Sequence, residues 1–283
     1  VRQDAWFALF LLVVGASTVS SQDAVEIKIH TRKVGDRVKV TEEEKTEIKM
    51  RIIVGENEAP RVEKKGCSLE YVEEVLEVAK GKETPTKLKR IYETAATSKD
   101  GKTTALSIQG KSVLIEKSGE KYTFAIDGKA VEGEAREILN REFNEPRGLI
   151  TPNKPVKPGE TWKLDANQFG LNLGKRDSFQ LDTTKLESVG KLVKAYQTDG
   201  KQFGVFEAKL SAPITALDSQ NDLKVKEGRL TATMTIDTCI DGTSPQVKST
   251  GMVALTFRNP NQGFDVFVEV RGTTVRTTEV VKK

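Results

Sequence analysis

The chain has one histidine, His30, and two cysteines, Cys67 and Cys239, in 283 residues. With a single imidazole no multi-histidine metal site can form, and a histidine-centred triad would depend on one residue near the start of the folded part. Two separated cysteines cannot make a thiolate zinc site, and no glycine loop leads into Lys-Ser or Lys-Thr to cradle a phosphate. A Gly-x-Ser-x-Gly elbow for a serine nucleophile is missing too. No cofactor, no metal and no nucleotide is therefore expected. Aromatic residues make up 6% of the chain, and of its two tryptophans only Trp162 lies beyond the N-terminal segment. Lys and Arg do not cluster with aromatics and the formal net charge is only +4. That argues against a nucleic-acid partner and for a mixed, well-solvated surface.

Carboxylates are the one abundant catalytic material. A glycosidase needs two of them facing each other across a cleft, and Glu42, Glu43, Glu44, Glu73, Glu74 and Glu77 show no diagnostic spacing. Most lie among lysines and read as solvated strand faces. His30 alternates onto the face of Lys28, opposite Ile27 and Ile29, and reads as structural. The expectation is a protein that is not an enzyme.

Long apolar runs are scarce as well. One, from Ala5 to Val14, follows Arg2 and ends in the small residues Gly15 to Ser21, the layout of a secretory signal peptide over residues 1–21. It is short for a bilayer-spanning helix, which needs about 20 apolar residues. An uncleaved N-terminal anchor is the alternative. Val1 in place of Met fits a literally translated bacterial start codon, and no cysteine sits at the cleavage region for a lipoprotein anchor. The expected location is outside the cytoplasm of a bacterium, periplasmic or extracellular. There a Cys67–Cys239 disulfide can form and persist, with two separate thiols as the alternative.

What the rest of the chain has in quantity is turn chemistry and two-residue alternation. Asp100-Gly101, Ser118-Gly119, Asp127-Gly128, Asp199-Gly200 and Asp241-Gly242 punctuate segments rich in Val, Ile, Thr, Tyr and Phe, as hairpins require. Ile48, Met50, Ile52 and Val54 alternate with Glu47, Lys49 and Arg51. The same period recurs in Leu106 and Ile108, in Tyr122, Phe124 and Ile126, in Leu230, Ala232, Met234 and Ile236, and in Val266, Val268 and Val270. Each reads as a strand with one wet face. The stretch from Asp36 to Val54 reads as one very long strand, with Glu42, Glu43 and Glu44 marking a bend or protrusion. A helix is predicted over Val131 to Phe143, where Val131, Ala135, Ile138, Leu139 and Phe143 recur at helical spacing. Ser68 to Lys80 fits either a strand or a second helix, with Val content and Tyr71 favouring the strand. The fold class is mainly β (α+β): a large curved antiparallel sheet of meandering hairpins with one to two helices.

Pro146, Pro152, Pro155 and Pro158, with Gly148, mark residues 146–158 as a linker or crossing loop. It divides a first β-rich half, 22–145, ending in the helix, from a second, 159–283. Lys33-Val34-Gly35-Asp36-Arg37-Val38 and Lys157-Pro158-Gly159-Glu160-Thr161-Trp162 open the two halves alike. Gly35 and Gly159 read as turn residues, Asp36 and Glu160 as caps or salt-bridge partners, and Trp162 as the anchor of the second core. Two similar halves and one continuous sheet both fit. Phe203 and Phe206, with Phe264 and Phe267, read as a shared apolar layer or a pocket lining.

In Pro155-Val156-Lys157-Pro158-Gly159-Glu160-Thr161-Trp162, after the earlier Gly35-Asp36, the chain resembles an uncharacterised family of exported bacterial β-rich proteins. More distantly it is similar to lipoprotein-carrier and lipid-binding half-barrels, in which helices close a curved sheet over an apolar cavity. The resemblance implies a large repetitive sheet and brings no established activity; the one clear helical period, Val131 to Phe143, departs from the half-barrel pattern. The function expected from all this is binding of an apolar or amphipathic ligand, such as a lipid, or of another envelope component, on a concave sheet face. The alternatives are a structural or protein-interaction module without a pocket and, third, a carboxylate-dependent glycan hydrolase.

Overall fold

The computed structural model describes residues 23–80, 84–144, 151–152, 154–164, 179–217, 223–261 and 264–281. The expected signal peptide, residues 1–21, and much of the proline-rich stretch lie outside them. In chain order the strands of the first half are β1 (Arg37–Val54), β2 (Asn57–Val78), β3 (Pro85–Lys99), β4 (Lys102–Ala105), β5 (Ser112–Ser118), β6 (Lys121–Ile126) and β7 (Lys129–Ala130), followed by helix α1 (Gly133–Asn144). The second half holds β8 (Thr161–Lys163), β9 (Phe179–Leu181), β10 (Glu187–Thr198), β11 (Lys201–Leu217), β12 (Leu223–Lys224), β13 (Glu227–Cys239), β14 (Val247–Asn261) and β15 (Phe264–Val280).

These strands form one 15-stranded antiparallel sheet whose main path of twelve runs β7-β6-β5-β3-β2-β1-β15-β14-β13-β11-β10-β8, with β4 pairing beside β3 and β9 and β12 beside β11. Local chemistry explains most of the ladder. Asp100-Gly101, Asp127-Gly128 and Asp199-Gly200 each place both residues at positive φ, the requirement of a two-residue turn whose twist matches its strands. Ser118-Gly119 closes the β5–β6 hairpin on the single positive φ of Gly119. Asp241-Gly242 behaves differently from the expected tight hairpin. It lies in the longer connection from β13 to β14, where Asp241 accepts hydrogen bonds from the backbone N–H of Gln202 and Thr243. Side-chain donors on Cys239 and Thr243 join those bonds and hold its carboxyl far below the usual carboxylate range.

The long strand is present as β1 without a break, and Ser68 to Lys80 belongs to strand β2 up to Val78, not to a second helix. Burial decides that ambiguity: Leu69, Tyr71, Glu73 and Val75 are buried in strict alternation, a period of two that a helix cannot satisfy. Glu42 and Glu44 do not mark the expected bend. Both sit on the inner face, where Glu42 pairs with Arg276 and Glu44 with Arg141, while Glu43 points to the other side and meets Lys45.

Each half starts with the same device. Gly35 and Gly159 adopt φ of +86° and +88°. The N–H of Asp36 donates to the Lys33 carbonyl and that of Glu160 to the Lys157 carbonyl. The acidic side chain then closes the turn, Asp36 Oδ2 accepting from the Lys33 N–H and Glu160 Oε2 from the Lys157 N–H. Gly35 and Gly159 donate in turn to the carbonyls of Val75 and Leu192 on the neighbouring strand. From there β1-β2-β3-β5-β6-β7 and β8-β10-β11-β13-β14-β15 run as meanders of the same sense, and β1 pairs with β15 from Val38↔Val280 to Ile53↔Asp265.

The core among the described residues falls into three clusters. The first packs Ala135 and Leu139 of the helix against Val38, Val40, Leu69, Tyr71 and Val75. The second gathers Val156, Leu164, Leu192, Phe206 and Ile240 with half-buried Trp162, and the third Leu210, Ile214, Leu230, Ala232 and Leu255. Phe203 and Phe206 do not share a layer: they point to opposite faces of β11, Phe203 stacking on Tyr196 and Phe206 meeting Trp162 edge-on. Phe267 lies under the guanidinium of Arg51 on the outer face, and the side chain of Phe264 is outside the described set. Cys67 and Cys239 are both free thiols in this structure, on β2 and β13. Burial and nearby Glu44 push the Cys67 thiol up to about 11, which leaves it protonated and unreactive at neutral pH.

Candidate functional site

Directly opposed residues of antiparallel neighbours share a face, so the register gives what lies beside what on the inner side of the sheet. Ile48 faces Val270 and Val270 faces Leu255; Met50 faces Val268 and Val268 faces Phe257; Ile52 faces Val266. Leu255 continues to Leu230 on β13. The separate alternating strings read from the sequence therefore line up into rows on one surface, crossing β1, β15, β14 and β13. Ile48, Met50, Ile52 and Val266 belong to none of the three core clusters among the described residues. Ile52 is 37% exposed and Val54, at the end of the same face, 53%. An apolar strip thus runs between the first and third clusters, half open to solvent.

One end of that strip is bounded by the helix and by a buried ionic cluster. Arg90, only 2% exposed, donates through Nε to Glu73 Oε2 at 2.7 Å and through Nη2 to Glu142 Oε1 at 2.9 Å. Its guanidinium stacks on Tyr71 at 4.1 Å and on Phe143 at 4.5 Å. Arg32 reaches Glu73 Oε1 at 2.9 Å, and Arg276 bridges Glu42 and Glu142 at 2.9 and 3.0 Å. Arg32, Arg90 and Arg276 balance Glu42, Glu73 and Glu142, so the cluster is neutral as a set. Burial alone would raise the Glu73 carboxyl, but Arg90 and Arg32 outweigh it and hold the group below its ordinary value. Burial pushes Tyr71 well up and Tyr92 to about 12, so both phenols stay neutral. The cluster ties β1, β2, β3, β15 and α1 together. Its carboxylates are locked in bidentate or bridging pairs, an arrangement that orients the helix and leaves none of them poised as a general acid.

Sequence reasoning reads Glu42 and Glu73 as solvated, because their partners Arg276 and Arg90 lie on other strands. The only local signal is Glu73 keeping the two-residue period of Leu69, Tyr71 and Val75. The other singled-out residues sit elsewhere. His30 bridges the Asp36 carboxylate, at 3.0 Å, and the Gly242 carbonyl, at 3.1 Å, fastening residues 23–36 across the end of the sheet. Asp36 is partly buried, which raises its carboxyl, yet His30 and the Lys33 N–H bring it net below normal. Trp162 covers Gly190 on β10, where a Cβ would come within 2.5 Å of the indole. Gly35, Asp36, Gly159, Glu160 and Trp162 are therefore turn and packing residues, distant in the ladder from the apolar strip.

Two clefts accompany these features. One of about 570 Å³ lies between residues 23–28 and the β10–β11 turn, lined by Asp23, Glu26, Lys28, Tyr196, Gln202 and Asp241, and is polar in character. Another of about 580 Å³ lies by Lys163, Val189, Leu210 and Thr233. Both open to solvent. Among the described residues no His, Cys, Asp and Glu group could hold a metal ion, and no helix is long and apolar enough to cross a membrane.

A scan against protein-family models finds no match, and a search of curated proteins finds none. Among solved structures the chain is similar to lipovitellin, in a structure concerned with its lipid–protein interactions, at 10% identity and a TM-score of 0.37. The alignment covers 89% of this chain and 26% of that one, so the chain spans about a quarter of its length. It is also similar to a DUF1329 family protein from Desulfovibrio piger, at 10% identity over 81% of this chain and 83% of that one, with a TM-score of 0.15. Likenesses at these scores carry no argument about function.

Proposed function

We propose that this is an exported, non-catalytic protein of a bacterial envelope that binds an apolar or amphipathic ligand along the strip formed by β1, β15 and β14. The observation that supports the reading is the alignment of Ile48, Met50 and Ile52 with Val270, Val268 and Val266 on one face, continued by Leu255 and Phe257, with its β1 residues outside the three core clusters. Apolar surface left half open in this way favours an apolar partner by about 25 cal/mol per Å² removed from water. A protein-interaction module is the second reading, supported by the openness of the strip and of both clefts: an extended partner would cover such a surface as well as a lipid would.

Native mass spectrometry on the full chain purified from its own host, followed by organic extraction, separates the two. A small molecule is expected to travel with the protein and to be lost from Met50→Glu, which sets a charge in the middle of the strip while the strand and its ladder stay intact. A clean apo mass on repeated preparations would sink ligand carriage and leave the interaction module.

A further inference from the structure

The apolar strip continues sideways into an unusual concentration of cations. Thr46 on β1 is opposed by Lys65 on β2, Lys65 by Lys99 on β3, and Lys99 by Lys102 on β4. Three lysines thus stand abreast on the inner face, at the ~4.8 Å spacing of neighbouring strands, where like charges directly opposed destabilise a sheet. Arg61 joins them on the same face of β2, opposite Met50. The carboxylate between them is Glu63, which meets Lys65 at 3.0 Å, Lys99 at 3.4 Å and Arg61 at 3.8 Å. Glu63 is itself opposed by Ile48. Toward the helix, the next row carries Glu44 and Thr97, and these are engaged by Arg141 and Glu134. Against Arg61, Lys65, Lys99 and Lys102 stand Glu63 and, in the turn between the last two, Asp100, whose carboxylate accepts from the Lys64 N–H; positive charge remains in excess. It stands one or two side-chain rows from Ile48 and Met50.

From this juxtaposition we infer that the ligand of the apolar strip is an anionic amphiphile, its chain lying along Ile48, Met50, Ile52 and the valines of β15 and its phosphate or carboxylate headgroup held by Lys65, Lys99, Lys102 and Arg61. This rests on the proposed binding role of the strip and names the chemical class it selects. A bound anion relieves the repulsion among the three opposed lysines, whose ion pairs among the described residues run to Glu63. Lys65 and Lys99 are about half exposed or more, at 52% and 65%, so the headgroup stays near water and its pairing is sensitive to salt. The long lysine stems can lie against the chain while their ammonium groups reach the headgroup.

The test is calorimetric titration of the full chain with dodecyl phosphate, dodecan-1-ol and inorganic phosphate, the amphiphiles kept below aggregation. Dodecyl phosphate is expected to bind at least tenfold more tightly than dodecan-1-ol, and to weaken as salt is raised. In Lys65→Glu/Lys99→Glu that preference is expected to disappear, the two amphiphiles binding alike, with the circular-dichroism spectrum of the folded chain retained since neither lysine belongs to a core cluster. Equal binding of the two amphiphiles, unaffected by the double substitution, would overturn the anionic preference and leave the apolar strip standing. Inorganic phosphate binding as tightly as dodecyl phosphate would overturn the amphiphile in favour of a free anion. Failure of both amphiphiles to bind would remove the strip's binding role itself.

Discussion

Arg90→Leu is expected to lower the free energy of unfolding by about 3–5 kcal/mol at pH 7, because it leaves Glu73 and Glu142 buried without their shared cation. Chemical denaturation of the two proteins measures it. The effect comes from the stranded carboxylates more than from the lost attraction, so the double variant Arg90→Leu/Glu142→Leu, which keeps Glu73 with Arg32 and Glu42 with Arg276, should recover much of the loss; a double variant no more stable than the single one would show that the ion pairs themselves carry the stability. Arg90→Lys will not substitute, since one ammonium cannot reach both carboxylates and stack between Tyr71 and Phe143 as the planar guanidinium does. The pH dependence has a definite sign. In the native chain Glu73 is held below its ordinary value of 4.5, so its contribution is fully present above that pH and is lost as the pH falls through the lower, folded-state value. In Arg90→Leu the same carboxyl is buried without Arg90 and its shift reverses. Acid neutralises it and removes the penalty, and the stability difference between the two proteins should shrink steadily from pH 7 toward about pH 4.

The balance of that cluster also explains what could and could not be read from the chain. Alternation is legible wherever a strand is wet on one side: Ile48, Met50 and Ile52, then Leu230 to Ile236, then Val266 to Val270, all lie as their period implies. Three of the four Asp-Gly turns are legible because positive φ at two successive residues demands them, Asp241-Gly242 being the exception, and the helix because Ala135 and Leu139 bury at helical spacing. What the period cannot carry is pairing between distant strands. The ladder of β1 with β15 joins Val38 to Val280, and nothing near either residue announces the other. For that reason the three strings cannot be recognised from sequence as one surface, and Glu42 cannot be matched to Arg276. Lys65, Lys99 and Lys102 look like ordinary solvated positions for the same cause: only the register sets them abreast.

The two halves solve one packing problem in different ways, and this leads to the second large effect. Counting from the shared turn, Val38 is opposed by Glu73 and Glu73 by Arg90, while Trp162 is opposed by Gly190 and Gly190 by Ala208. Where the first half places a buried ion pair, the second places an indole over a glycine. Gly190→Val should therefore cost about 2–4 kcal/mol. A Cβ at that point would lie 2.5 Å from the indole, and β10 cannot yield because β8 and β11 hold it on both sides. The indole has to leave, surrendering its edge contact with Phe206 at 6.4 Å between centroids. Its emission should shift to the red, and Trp162→Ala/Gly190→Val should be less destabilised than the sum of the single changes, since the valine then fills space the indole has vacated. Strict additivity would mean that the two residues do not compete for one volume. Trp162 fluorescence reports the second half, whereas Arg90 lies in the first. If the β1–β15 ladder makes the sheet one cooperative unit, Arg90→Leu must move the Trp162 unfolding midpoint as far as it moves the circular-dichroism midpoint; a Trp162 transition left in place would show that the halves unfold independently despite the strand pairing that joins them.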